Sequence, residues 1–84
     1  MRVDLHIHTT YSDGLLTPKQ VVKKACGLGL SAISITDHDT INGILPAMDQ
    51  ARECPELEVI PGIEFSTELN NEEVHILGYN HYYL

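Results

Sequence analysis

The stretch Arg2-Val3-Asp4-Leu5-His6-Ile7-His8, with the segment after it, decides the fold. Apolar and polar residues alternate, so it reads as a strand, with Val3, Leu5 and Ile7 on one face and Asp4, His6 and His8 on the other. A polar loop, Thr9-Thr10-Tyr11-Ser12-Asp13-Gly14, leads to Thr17-Pro18. That pair marks a helix start, with Thr17 as N-cap and Pro18 at the first helical position. The helix is expected to run to about Gly29. Val21, Val22, Ala25 and Cys26 form its apolar face, and Lys19, Gln20, Lys23 and Lys24 its wet one.

Working outward, Ser31 to Thr36 is a second strand, ended by the loop Asp37-His38-Asp39-Thr40. A second helix covers roughly Ile44 to Glu53, with Pro46 tolerated in its first turn and Pro55 as its stop. Leu57 to Ile60 is a third strand, which Ile63 to Leu69 continues or follows. Asn70-Asn71 signals a turn, and Glu73 to Tyr79 returns as a strand, making a hairpin. Strands alternating with amphipathic helices predict an α/β fold built from parallel βαβ units. An unclosed row of such strands reads as the front third of a larger α/β barrel.

Composition narrows the function. The 84 residues carry 5 basic and 12 acidic side chains, for a net charge of −7. A broad nucleic-acid-binding stripe is excluded, because displacing counterions from phosphates needs clustered Lys and Arg. No apolar run approaches the roughly 20 residues of a membrane span, and no secretory signal opens the chain. Cys26 and Cys54 read as two reduced, half-buried thiols of a cytoplasmic protein rather than a zinc ribbon or disulfide framework.

The five histidines carry the chemistry. His6 and His8 project from one face of a strand about 7 Å apart, a spacing that suits two imidazoles on one ion; alone, the pair reads equally as polar decoration. Asp13 follows the first strand, His38 the second, and Glu64 falls at or near the end of the third. Ligand-type residues thus gather at the strand ends where α/β barrels carry their active sites. His75, between Val74 and Ile76, reads either as a packed core histidine or as a further ligand. The set is nitrogen and oxygen with no thiolate, which suits Mn, Fe, Zn or Mg. The donors outnumber the needs of one ion, which points to a cluster of two or three ions and to phosphate-ester hydrolysis.

Four ordered motifs now stand together: Asp4-Leu5-His6-Ile7-His8-Thr9-Thr10-Tyr11-Ser12-Asp13-Gly14, Ile35-Thr36-Asp37-His38-Asp39-Thr40, Pro61-Gly62-Ile63-Glu64 and Val74-His75-Ile76-Leu77-Gly78-Tyr79. They closely resemble the PHP (polymerase and histidinol phosphatase) family over nearly the whole chain. The resemblance implies the N-terminal portion of a distorted (β/α)7 TIM-like barrel, with residues 1–84 forming an incomplete PHP domain. It implies His6 and His8 as ligands of a first ion, Glu64 bridging it to a second, His75 on that second ion, and Asp13 and His38 on a third. Asp37 and Asp39 are expected to orient the ligands; Asp4 is either similar or a strand-start residue. Family members draw further ligands from later strands, an isolated histidine and an Asp-x-His, and His81 does not stand in their place.

Among PHP proteins the loops most resemble stand-alone bacterial phosphoesterases. The implied activity is hydrolysis of nucleotide or short-RNA phosphate esters by a metal-activated hydroxide, of the nucleoside 3′,5′-bisphosphate phosphatase or 5′-3′ exoribonuclease type. The alternatives are a histidinol-phosphatase-like enzyme, a PHP accessory module of a polymerase, or an inactive fragment. Arg2, Lys19, Lys23, Lys24 and Arg52 fall away from the expected site, and the oligomeric state is open.

Overall fold

A computed structural model describes residues 1–79. Six elements follow in order: β1 (Val3–Ile7), α1 (Pro18–Gly27), β2 (Ala32–Ile35), α2 (Ile44–Ala51), β3 (Glu58–Leu69) and β4 (Glu72–Tyr79). The strands form one sheet in the order β1-β2-β3-β4. The first three are parallel and β4 returns antiparallel to β3, as the hairpin reading expects. The chain is therefore an α/β fold with a four-stranded sheet.

Local chemistry sets the helix ends. The Thr17 hydroxyl accepts from the Gln20 backbone N–H, and Gln20 Oε1 accepts from the Thr17 N–H, so two otherwise orphaned donors are satisfied reciprocally. Pro46 sits in the first turn of α2, where its missing N–H costs no helical hydrogen bond. Between β3 and β4, Asn70 and Asn71 have φ of 53° and 65°. Two consecutive left-handed residues match the right-handed twist of the flanking strands, and Asn accepts that conformation at low cost.

The helices cover one face of the sheet. Ile33 and Ile35 of β2 are fully buried there against Val22 and Ala25 of α1, Ala47 of α2 and Val59 of β3. Each such aliphatic side chain removed from water stabilises the fold by roughly 1.5–3 kcal/mol. The opposite face is the one on which the polar residues of β3 and β4 gather. Gly62 there pairs with Tyr79, and a Cβ on it would lie 2.4 Å from Ser34 Oγ and 3.2 Å from Tyr79 Cδ1. Glycine there leaves room for the Ser34 and Thr36 side chains beside β3, with the Tyr79 ring close by.

Three expectations need correction. First, β1 keeps Ile7 toward the core and His6 and His8 together on Glu64, but its pairing is not that of a regular strand. Its register against β2 shifts between Asp4 and Ile7, and Asp4 and Ile7 both border the hollow beside Val21 and Ala25 of α1. A bulge adds a residue to one strand, so the regular ladder is broken across it. Second, Cys26 and Cys54 are not free thiols: they form a disulfide with Cα atoms 6.3 Å apart. The cause is tertiary. Cys26 lies in the last turn of α1 and Cys54 just after α2, and packing the two helices side by side closes 28 residues of separation. Third, β3 does not end near Glu64 but runs on to Leu69. Glu64 marks the last parallel link to the β2 side, an isolated bridge to His38.

Candidate metal centre

Three strand regions deliver four imidazoles in a row. Ring centroids lie 5.1 Å apart for His6 and His8, 4.4 Å for His8 and His38, and 5.0 Å for His38 and His75, each pair edge to face. His6 belongs to β1 and His75 to β4, while His8 and His38 open the loops after β1 and β2.

Glu64 lies at the centre of that row. Its Oε1 accepts hydrogen bonds from His6 Nε2 at 2.7 Å and from His8 Nε2 at 2.8 Å. Its Oε2 accepts from His75 Nδ1 at 2.6 Å, and His38 Nδ1 stands 3.6 Å away. Burial pushes the Glu64 carboxyl up, but the hydrogen bonds from His8, His6 and His75 together outweigh it and hold the group at about 2. Asp13 is the second carboxylate. Its Oδ1 accepts from His8 Nδ1 at 2.7 Å, and its Oδ2 lies 3.2 Å from His38 Nε2. Partial desolvation opposes ionisation of Asp13, and His8 and His38 still keep it below its ordinary value.

His8 and His75 each have a carboxylate at both ring nitrogens. His8 lies between Glu64 and Asp13, and His75 between Glu64 and Glu73, whose Oε1 is 2.7 Å from His75 Nε2. Such an imidazole gains from carrying both protons. Burial lowers the His8 pKa, yet its two carboxylates raise it overall; the bonds to Glu73 and then Glu64 raise that of His75.

The expected orienting residues occupy distinct places. Asp37 is buried, and accepts from the Thr9 N–H, from the Thr9 hydroxyl at 2.7 Å and from the Ser12 hydroxyl at 2.7 Å. It thereby fixes the loop that carries Asp13 to the end of β2. Gly14 completes that loop, since a Cβ there would lie 2.2 Å from the His8 carbonyl oxygen. Asp39 has φ of 55° and accepts from the Ser66 N–H at 2.9 Å. That bond lowers its pKa and ties the His38 loop to β3. Asp4 is exposed and accepts from the His6 N–H at 3.2 Å. His81 lies outside the described residues.

Three overlapping groups of donors result, each with its ligand atoms within 4.8 Å of one another: His6, His8 and Glu64; His8, Asp13 and His38; and His38, Glu64 and His75. All six residues singled out in the sequence are brought together. The grouping differs in two respects: His8 joins Asp13 and His38, and His38 also joins Glu64 and His75. Glu73 was passed over. Its signal was available, since residues two apart on a strand share a face. Thr9 and Ser12 were overlooked as partners of Asp37, because hydroxyls in a loop carry no spacing rule.

The donor chemistry fits divalent cations. Imidazole nitrogen and carboxylate oxygen suit borderline and hard ions, and a cation replacing the shared protons would relieve the crowding of ionisable groups.

Comparison with known proteins agrees with that chemistry. The 5'-3' exoribonuclease Rnm of Escherichia coli (strain K12) is 47% identical over 78 residues, covering 92% of this chain and 27% of that protein. The 3',5'-nucleoside bisphosphate phosphatase of Chromobacterium violaceum is 37% identical over 78 residues, covering 90% and 26%. A crystal structure from Bifidobacterium adolescentis, assigned as a metal-dependent phosphoesterase, superposes with a TM-score of 0.86 at 35% identity, covering 94% and 27%. The chain thus spans about a quarter of the length of the relatives it matches. The PHP domain profile matches residues 4–84, and the chain belongs to the PHP domain family.

Proposed function

We propose that these residues form the N-terminal part of a metal-dependent phosphoesterase acting on nucleotide or short-RNA phosphate esters. One observation carries the reading: a single carboxylate, Glu64, joins two of three overlapping donor triads. In this reading the βαβ units open a distorted (β/α)7 barrel and residues 1–84 are its first portion. His6, His8 and Glu64 would hold one divalent ion, and Glu64 with His75 a second. Asp13 and His38 would hold a third; manganese, iron, zinc and magnesium all suit the donors.

A divalent cation in such a site polarises phosphoryl oxygens and lowers the pKa of a coordinated water. The chain's own residues supply the rest. Glu64 and Asp13 bring negative charge that an anionic substrate would avoid unless cations offset it. Asp37 and Asp39 fix the two loops on which Asp13 and His38 ride. Glu73 holds His75 Nε2, leaving Nδ1 toward Glu64. The lysines of α1 cannot replace those cations, since Lys23 and Lys24 lie along a helix on the other side of the sheet.

The activities of the relatives, an exoribonuclease and a nucleoside bisphosphate phosphatase, support a nucleotide ester as substrate. A purely accessory role has no need of an intact donor set in every triad. The test is manganese content per chain beside the His8→Ala variant, which loses a member of two triads. One or more retained ions, lost in the variant, are expected. A folded chain that retains none overturns the assignment of these ligands. Phosphate release from a nucleoside 3′,5′-bisphosphate is then read in a chain extended to the relatives' full length.

A further inference from the structure

We propose that Tyr79 and Asp4 are positioning residues that clamp the peptide group between Leu5 and His6 and so aim the His6 imidazole at Glu64. The Tyr79 hydroxyl donates to the Leu5 carbonyl at 2.6 Å, linking residues 74 apart in sequence. The N–H of the same peptide group, that of His6, donates to Asp4 Oδ1 at 3.2 Å. Both polar ends of one backbone unit are therefore held by side chains.

The location makes this consequential. The Leu5–His6 unit lies inside the register shift between Asp4 and Ile7. A bulge leaves its extra residue outside the regular ladder, so the unit needs other partners to fix its plane. His6 is also the least supported imidazole of the row. Its side chain is 54% exposed, and Glu64 is its one hydrogen-bond partner among the described residues. Packing does not hold it, so its direction follows the backbone beneath it. Tyr79 reaches that backbone from the opposite edge of the sheet, over Gly62, which pairs with it on β3. The β4 residue next to it on the same face, Leu77, pairs with Glu64. The clamp thus ties the strand that offers His6 to the strand that offers His75, with Glu64 between them.

This inference rests on the proposed metal site for its functional meaning, but its geometry is testable without metal. Tyr79→Phe removes only the hydroxyl, and Asp4→Ala removes the N–H acceptor together with its charge. In the metal-free chain, the ring ¹⁵N and ¹H signals of His6 are expected to move toward those of a free imidazole in both variants. The signals of His38 and His75 should shift far less. With manganese, each variant is expected to bind about tenfold more weakly than the parent, the usual scale for residues that orient a ligand, and the double variant little worse than either, because both act on one peptide group. Unchanged His6 signals in the two variants, or shifts spread equally over all four histidines, would overturn the clamp. So would loss of a dispersed spectrum in both, since that marks residues needed for folding rather than for aiming. A parent chain that binds no manganese, with the His6 shifts still seen, would sink the metal reading and leave the clamp standing.

Discussion

The two faces of the sheet are held by different physics. On the helix side, Ile33 and Ile35 are buried among aliphatic neighbours, and the Cys26–Cys54 disulfide joins the two covering helices. On the other side, four imidazoles and two carboxylates hold one another through short polar contacts. Apolar burial tolerates no gaps but is indifferent to pH. A charged cluster is sensitive to protons and ions, and contributes little stability where water screens it. The difference places the folding energy on one face and the chemistry on the other, so that one can change without the other.

That separation is sharpest in its largest expected effect. Ile33→Ala should cost about 3 kcal/mol of unfolding free energy, the usual range for emptying a filled core position. Denaturant unfolding of the metal-free chain reads the loss directly. If Ile33→Ala leaves the midpoint unmoved, the helix-covered face is not the seat of stability. Reduction of Cys26–Cys54, or the paired Cys26→Ser and Cys54→Ser change, should cost a similar amount. Closing a loop of this size is worth about 3.6 kcal/mol on chain-entropy grounds. The same melts with and without reductant check it, while manganese affinity at saturating protein stability should hold.

The opposite face should show the reverse pattern. Glu64→Gln keeps the shape but removes the charge shared by two triads, so manganese affinity should fall at least about a hundredfold, and the unfolding midpoint should fall less than in Ile33→Ala. Titration calorimetry and melting on one sample separate the two quantities. Equal losses in both would erase the comparison.

The smallest expected effect is the pH dependence of the metal-free chain. Glu64 is held at about 2 against an ordinary 4.5, so its contribution is full above 4.5 and is lost as pH falls toward 2. His8 and His75 are raised above their ordinary 6.5, so theirs is full below 6.5 and is lost as pH rises through the raised values. Stability should therefore peak between about 4.5 and 6.5. Manganese binding should instead strengthen with pH above 6.5, because His8 and His75 must each give up a proton to bind. Melts across pH, with and without manganese, distinguish the two trends; a metal-free optimum near pH 8 would contradict the imidazolium assignments.

Much of this was readable from residue order. Thr17-Pro18, the spacing of Val21, Val22 and Ala25, and Asn70-Asn71 are local signals, and the elements they mark stand where those signals put them. Five of the six donors were legible because each follows or occupies a parallel strand, and such strands deliver their ends to one place, while His75 comes to them on the antiparallel return of β4. What failed was non-local. The register shift in β1 between Asp4 and Ile7 depends on its pairing with β2, which no window of seven residues contains. Cys26 and Cys54 meet only once α1 lies against α2. Tyr79 and Leu5 share a hydrogen bond across nearly the whole chain, and no pattern rule spans that distance.

The partners of Glu64 lie 58, 56, 26 and 11 residues away in sequence, at His6, His8, His38 and His75. Contacts of such unequal range do not form together. The local hairpin that carries His75 closes first, at small entropic cost, and the link to His6 requires the whole parallel sheet. A chain leaving the ribosome cannot assemble the cluster before its seventy-fifth residue emerges. Capture of an ion by all of the donors would then be a late event in folding, and its arrival would time-stamp the moment at which the sheet is complete.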